Sequence, residues 1–426
     1  MKNTTFRRVI ARLLPLTGAL ALTFAGVGAA AQVPELMFET RAPGDGVTGS
    51  SVTRNLEGNA SIRSIEYIGI RSELLSRAED ALSLRLPSGE SVIASLREAT
   101  VLDDESTTWS GTIAGAARVQ EAGDGALFVV TGERVFGQIR VKGQVFEVLT
   151  VEEGGHYLMV ERDFSALPQT DDTPRQAFDI PKDTLLEESA DSATRAITTI
   201  RVLQIASREA RDQLGGSNSA RDRMRFFLAQ ANDVYSTTRI EVRLQNAGLR
   251  TPGGRVNNNN GVSLIDQLSR TNDGRAYDWL AGGSNSGNGR NARRADLVGL
   301  MTASGLSSPF GGLCGIADAI GANAGTAFFL TNQSCTNFTF VHEIGHLFGA
   351  RHDNDPGTSP FRFGHGFVSA AGNFRTVMAV NSNPQRRIGA FSADNLSLNG
   401  ITIGNSSFRD NRRVHDIRRG TMASFR

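Results

Sequence analysis

The sequence predicts a chain in two parts: a mainly antiparallel β region over residues 32–166, then an α/β (α+β) unit on a mixed sheet over 196–426. Three observations predict it. Short alternating apolar runs separated by glycine-containing turns dominate the first part. Strand and helix periodicities alternate in the second. Between them, residues 167–195 carry Pro168, Pro174 and Pro181 among Asp171, Asp172, Glu187, Glu188 and Asp191, the composition of an exposed linker. A chain of 426 residues, 39% hydrophobic and 21% charged, exceeds what one core normally supports and is too apolar for disorder, so two folded units are expected.

The elements follow in order. Residues 1–31 read as an export signal: Lys2, Arg7, Arg8 and Arg12 form a basic start, a short apolar stretch follows, and Ala29 and Ala31 supply the small residues of a cleavage site before Gln32. The expected location is therefore extracellular or periplasmic, with no membrane attachment once the signal is removed. In the β region, residues 127–131, 135–141 and 145–151 form strands of an antiparallel meander, separated by glycine-containing turns at Gly132, Gly137 and Gly143. Beyond the linker, 197–205 reads as a strand. Met224, Phe227, Leu228, Ala231 and Val234 then fall at helical spacing after N-caps at Asn218 or Ser219. Ile240, Val242 and Leu244 alternate as a second strand, 263–268 starts a helix, and 296–301 is a third strand. Apolar runs at 314–317 and 326–331 precede a helix over 337–349, and 406–425 holds a terminal helix.

The neutral total of +1 conceals an asymmetry: residues 32–195 sum to −13 and 196–426 to +10, with every basic residue of the second part an arginine. Either the two parts attract each other, or the basic part awaits an acidic partner, or both are solvated surfaces. No nucleic-acid partner is expected. Two cysteines exclude a four-cysteine metal site, an iron–sulfur cluster and a disulfide-stapled miniature scaffold.

The chemistry concentrates in one run, His342-Glu343-Ile344-Gly345-His346-Leu347-Phe348-Gly349-Ala350-Arg351-His352-Asp353. Four residues apart on a helix, His342 and His346 project from one face and can grip one zinc ion. Gly349 sits where a left-handed residue would end the helix and swing the chain round, delivering His352 as a third nitrogen ligand and leaving a fourth position for water. Glu343 points beside that face, placed to take a proton from the water and pass it to a leaving amine. Three of the six histidines of the chain at this spacing, with Glu and Gly in register, are not ordinary helix histidines.

His342-Glu343-x-x-His346-x-x-Gly349-x-x-His352 resembles the metzincin zinc-protease signature, and Asp353 after the third histidine resembles its reprolysin (adamalysin) branch. Arg375-Thr376-Val377-Met378-Ala379 is similar to the Met-turn of that clan, which makes Met378 a hydrophobic floor under the histidines. Gly364-His365-Gly366-Phe367, Phe391-Ser392 and Asn399-Gly400 are similar to bacterial secreted members, among them peptidyl-Asp metalloendopeptidases. The resemblance spans about 200–426 and implies a mostly parallel mixed sheet with a zinc helix, Gly349, Asp353 and Met378 supporting the site, and one catalytic zinc. Where some metzincins carry a metal-reaching Tyr two residues after this Met, the chain has Val380, which argues against a fifth ligand. His365 is not needed as a ligand, and His156 and His415 read as surface residues.

Cys314 and Cys335 bracket the strand before the zinc helix. In an exported chain a disulfide is expected over two buried thiols. By resemblance, residues 312–317 form the sheet edge along which substrate backbone pairs. With no cysteine in the first part, a cysteine switch is excluded. The expected function is thus a secreted zinc endopeptidase acting on proteins or peptides. It is made as signal, acidic proregion (32–166), linker with the activation site (167–195) and catalytic domain (196–426), with the proregion as its inhibitor. Similarity to peptidyl-Asp enzymes implies acidic residues after the scissile bond and a mature N-terminus near Asp191. Two alternatives are a non-catalytic metzincin-like binding protein, against which Glu343 argues, and a zinc amidase acting on a non-protein substrate. The sequence assigns neither calcium binding nor oligomeric state.

Overall fold

The computed structural model describes residues 33–40, 51–103, 105–113, 123–151, 156–168, 174, 176–177, 196–252, 260–269, 289–308, 311–380 and 382–426. The export signal, most of the linker and the expected cleavage site at Asp191 lie outside them.

Among the described residues of the N-terminal half the alternating runs produce nine antiparallel strands, of which the sequence predicts three. The three predicted strands are Gly125–Thr131, Arg134–Val141 and Gln144–Val151, paired in succession and turning at Gly132 and Gly143, both at positive φ; Gly137, expected at a turn, instead lies inside the second of them, where the Phe128 ring of the neighbouring strand covers it and leaves no room for a side chain. They occupy the middle of the sheet. Ile62–Ile70 and His156–Arg162 extend it on one side, and Ser106–Ile113, Ser91–Asp103 and Ala81–Arg85 on the other. Glu35, leading into the first strand, bridges Ser83 of the opposite edge, so the sheet curls round onto itself. Its inner face buries Leu84, Trp109, Phe128, Ile139, Val148 and Met159 in a core of their own.

The C-terminal half is the expected mixed sheet. Strands Val242–Arg250, Thr198–Ala206, Leu297–Thr302 and Phe328–Asn332 run parallel, and Gly315–Ala317 pairs antiparallel at the edge. Apolar residues fill both faces of the three parallel strands from 198 to 332, as strands covered on each side require. The long helix Ser217–Thr238 starts after Gly216, which caps it with no side-chain bond, so neither Asn218 nor Ser219 is the N-cap. A short helix the periodicity does not reveal, Arg208–Gln213, precedes it, capped by the Ser207 hydroxyl accepting from Ala210 N.

This long helix joins the two sheets. Phe227 stacks on Phe340 of the C-terminal half with ring centroids 5.7 Å apart, while Phe226 meets Phe136 of the curled sheet at 4.8 Å. Leu127, Val129 and Leu149 of the curled sheet share one core with Ile200, Val202, Ile344 and Phe348. Charges cross the same boundary in both directions. Asp103 pairs with Arg225, Asp124 with Arg386 and Glu147 with Arg223, whereas Arg97 pairs with Asp233 and Arg134 with Asp222. The most enclosed is Glu147, 1% exposed, lying 3.7 Å from Arg162 and 3.6 Å from Arg223 and accepting from the Thr336 hydroxyl. Burial alone would raise its pKa; the two guanidiniums and the hydroxyl hold it below the usual carboxylate range.

Candidate active site

The histidine run forms the helix Thr339–Phe348, buried along its whole length. Gly349 closes it at φ +112°, a left-handed conformation that costs a glycine nothing, and its N–H returns to the His346 carbonyl at 2.8 Å. The reversal brings His352 back over the helix. Nε2 of His352 lies 3.1 Å from Nε2 of both His342 and His346, and the three rings sit with centroids 4.7–5.1 Å apart. Among the described residues these three are the one group of His, Cys, Asp or Glu placed to share a metal ion.

The orientation of two of the rings is fixed from behind. Nδ1 of His342 meets the Val377 carbonyl at 2.8 Å and Nδ1 of His346 the Ala350 carbonyl at 2.9 Å. A carbonyl only accepts, so each Nδ1 carries the proton and each Nε2 presents a lone pair. Tetrahedral zinc at a Zn–N distance of ~2.0–2.1 Å needs nitrogens about 3.3 Å apart. The donor set therefore fits zinc in both chemistry and spacing.

Glu343, 1% exposed, turns from the same helix toward the edge strand. A methyl group on Gly315 would run into its carboxylate, so the strand must have glycine there for the carboxylate to reach this position. The Cys314–Cys335 disulfide, with Cα atoms 5.4 Å apart, fastens this edge to the turn before the histidine helix, and Asn332 N donates to the Cys314 carbonyl at 2.7 Å. Met378 is fully buried under the site. Its sulfur lies so close to Gly345, between the histidines, that a Cβ there would come within 2.5 Å. Asp353 ties the third-histidine segment to the chain after Met378, its Oδ1 accepting from Val380 N at 2.9 Å and its Oδ2 from Asn383 Nδ2 at 3.2 Å.

The remaining histidines stand elsewhere. His365 is buried with Nε2 on the Gly357 carbonyl at 2.9 Å, apart from the trio. His156 begins a strand and is half-buried. His415 corrects the expectation of a surface residue: it is fully buried among Tyr235, Phe348 and Phe391, and burial pushes its pKa down to about 4. Sequence reasoning missed Gly315, the carbonyls of Val377 and Ala350, and Asn383. Only Gly315 left a signal, as a glycine next to Cys314 in an apolar run.

The chain is also similar to known proteins. Residues 197–392 match the model of metallo-peptidase family M12. The chain is 30% identical over 429 residues to a peptidyl-Asp metalloendopeptidase of Xanthomonas campestris pv. campestris, covering 96% of this chain and 98% of the relative. A protein of the same name from Stenotrophomonas maltophilia strain K279a is 30% identical over 84% of this chain and 86% of its own. Among solved structures, metalloproteinase-II from Bacteroides fragilis aligns with 75% of this chain and 90% of its own, at 11% identity and a TM-score of 0.45.

Proposed function

The chain belongs to metallopeptidase family M12, and from that premise we propose that it is an exported zinc endopeptidase, made as a precursor, that cuts proteins on the amino side of acidic residues. The observation that carries the reading is the convergence of three buried imidazoles, two with Nδ1 committed to backbone carbonyls, beside a buried glutamate. A binding protein needs no such base.

His342, His346 and His352 would hold the zinc, which when bound would supply Lewis acidity toward a peptide carbonyl and a water. The other tasks fall to the chain itself. The outer edge of Gly315–Ala317 receives an extended substrate backbone by strand addition and holds its carbonyl over the histidines. Glu343 takes the proton of the attacking water and hands it to the departing amine. The floor of Met378 and the anchored Asp353 keep the three rings from shifting as charge builds.

Latency comes from the N-terminal half in this reading. Supporting it, linker residues Gln176–Ala177 pair in parallel with Ala319–Ile320, and the segment just after these, Gly321 and Ala322, donates to the carbonyls of His346 and Leu347 at the end of the histidine helix. These two linker residues are thus tied, through residues 319–322, to the end of the histidine helix. The names of the relatives support the acidic specificity, as does the arginine-only basicity of residues 196–426. Export rests on the leader sequence, and among the described residues no helix is long and apolar enough to cross a membrane. The test is the profile of peptides released from a mixed proteome, with and without a chelator. Chelator-sensitive cuts before Asp or Glu are expected; apolar residues after most cuts would overturn the specificity, and chelator-insensitive cutting would overturn the zinc assignment.

A further inference from the structure

The loop around Met378 does more than brace the histidines. Between residues 372 and 387 it lines, with Asn337, one side of a cavity of about 600 Å³ whose other side is the curled N-terminal sheet. The charged residues on the C-terminal side of this cavity are Arg375, Arg386 and Arg387, with no carboxylate among them. The same loop is joined to the metal site at two points, through the Val377 carbonyl on His342 and through Val380 N and Asn383 on Asp353. The other wall adds Arg63, Arg140, Lys142 and Arg162 against Asp124, Glu161 and Asp163, so the cavity is positive on balance and lies one loop away from the histidines.

The three arginines are not equivalent. Arg375 and Arg387 are buried and both donate to the Ala379 carbonyl, at 2.9 and 2.7 Å; Arg375 also reaches the Gln385 carbonyl at 2.8 Å and Arg387 the Asn337 carbonyl at 3.2 Å. They hold the loop in shape. Arg386 points the other way from its neighbour, and its side chain is one-third exposed. Its hydrogen-bond partners among the described residues both come from the N-terminal half: the Gly123 carbonyl at 3.3 Å and the Asp124 carboxylate. Asp124 in turn accepts from Lys142 N at 3.2 Å, which fixes it in place. The surroundings are electropositive enough to act on a third guanidinium: Arg140 across the cavity has its pKa lowered to about 9 by burial and by Arg386 and Arg387.

We propose that Arg386 is the residue that reads the acidic side chain of the substrate, and that Asp124 occupies it in the full-length chain as an internal surrogate. The inference rests on the acidic specificity proposed above and names its determinant. An Asp carboxylate already sits on this guanidinium, so the position demonstrably accepts one. Arginine suits the task because its planar donor fork matches a carboxylate, and a site built to bond a charged group rejects the uncharged isostere strongly. Removing the N-terminal half removes the surrogate and leaves the arginine without its carboxylate partner, on the loop whose Val377 and Asn383 contact the metal-site segment. The ion pair then links specificity to latency: the same contact that selects substrate is satisfied internally until the precursor is opened.

The test compares the secreted active protein with its Arg386→Gln and Arg386→Lys variants on two peptides that differ only in Asp or Asn at the cleavage position, alongside the released-peptide profile of each. For the wild type the ratio of kcat/KM for Asp over Asn is expected to be large; in Arg386→Gln it falls by about 100-fold, with the loss concentrated in the Asp peptide, and Arg386→Lys recovers part of it. A wild type with no acidic preference overturns the underlying specificity reading. A wild-type preference that survives in Arg386→Gln overturns this assignment alone, and so does an equal loss on both peptides, which would make Arg386 a structural residue like Arg375.

Discussion

Replacing Glu147 by Gln removes one negative charge from a place where two guanidiniums are already buried. Arg162 and Arg223 lie 3.7 and 3.6 Å from its carboxylate, with side chains 2% and 5% exposed, and Arg223 already has its pKa pushed down to about 10 by burial. The amide keeps the shape and can still accept from Thr336, so the perturbation is electrostatic. Breaking a buried pair by removing one partner costs about 3–5 kcal/mol, because the remaining charge is left without compensation. The compact unit runs from Val33 to Arg426. With an unfolding entropy of ~2.1 cal/mol/K per residue over a unit of that size, the loss lowers Tm by about 4–6 °C. Calorimetry of the full-length chain measures it, with Glu161→Gln as the control. Glu161 lies 3.9 Å from an exposed Arg63, a pair worth under ~1 kcal/mol. The Glu147 effect should persist from low to high salt, since buried pairs are poorly screened. A Tm change within about 1 °C, or one that disappears in salt, would refute the view that the two halves interlock through a buried network.

Three further outcomes are expected. Folded His415 has its pKa near 4, below the ~6.5 of the unfolded chain, so it adds stability that is fully present above pH 6.5 and is lost as pH falls toward 4, on the order of 3 kcal/mol; denaturant midpoints from pH 7 to 4 should show this fall, less steeply in His415→Phe. Replacing Cys314 and Cys335 by Ser opens a loop with a sequence separation of 21 and should cost about 3 kcal/mol of stability, read as a shifted urea midpoint. Gly349→Ala places a side chain at φ +112°, 3.0 Å from Pro360, and should displace His352, so that zinc is lost to a chelator at lower concentration than in the wild type.

How much of this was legible in the sequence depended on the distance over which each feature is encoded. The histidine helix and its glycine end are written within one or two turns, so spacing alone placed His342, His346, Gly349 and His352. Three of the four parallel strands were visible because they are buried on both faces and read as apolar runs, and the edge strand Val242–Arg250 because its start alternates. The outer strands of the curled sheet were not. Ser91–Asp103 contains Ala94, Leu96, Arg97, Glu98 and Ala99, good helix formers that strand pairing overrides, and its register shifts break the alternation. His415 was misread because the C-terminal helix buries Asn411, Arg418 and Arg419 alongside Val414 and Met422, so its inward face carries no apolar stripe. The start of the long helix was misplaced because a Gly215-Gly216 turn at positive φ stands in for a side-chain cap. Contacts such as Asp124 to Arg386 join residues more than 260 positions apart and leave no local trace.

In the proposed mechanism Glu343 moves the proton while the three histidines hold the metal, and Glu343→Gln separates the two roles. The purified variant should carry close to one zinc per chain by elemental analysis, as the wild type does, while its kcat on a protein substrate falls by roughly 10²–10⁴, the range expected when a positioned general base is removed. A variant that digests casein at near the wild-type rate with zinc retained would contradict the account.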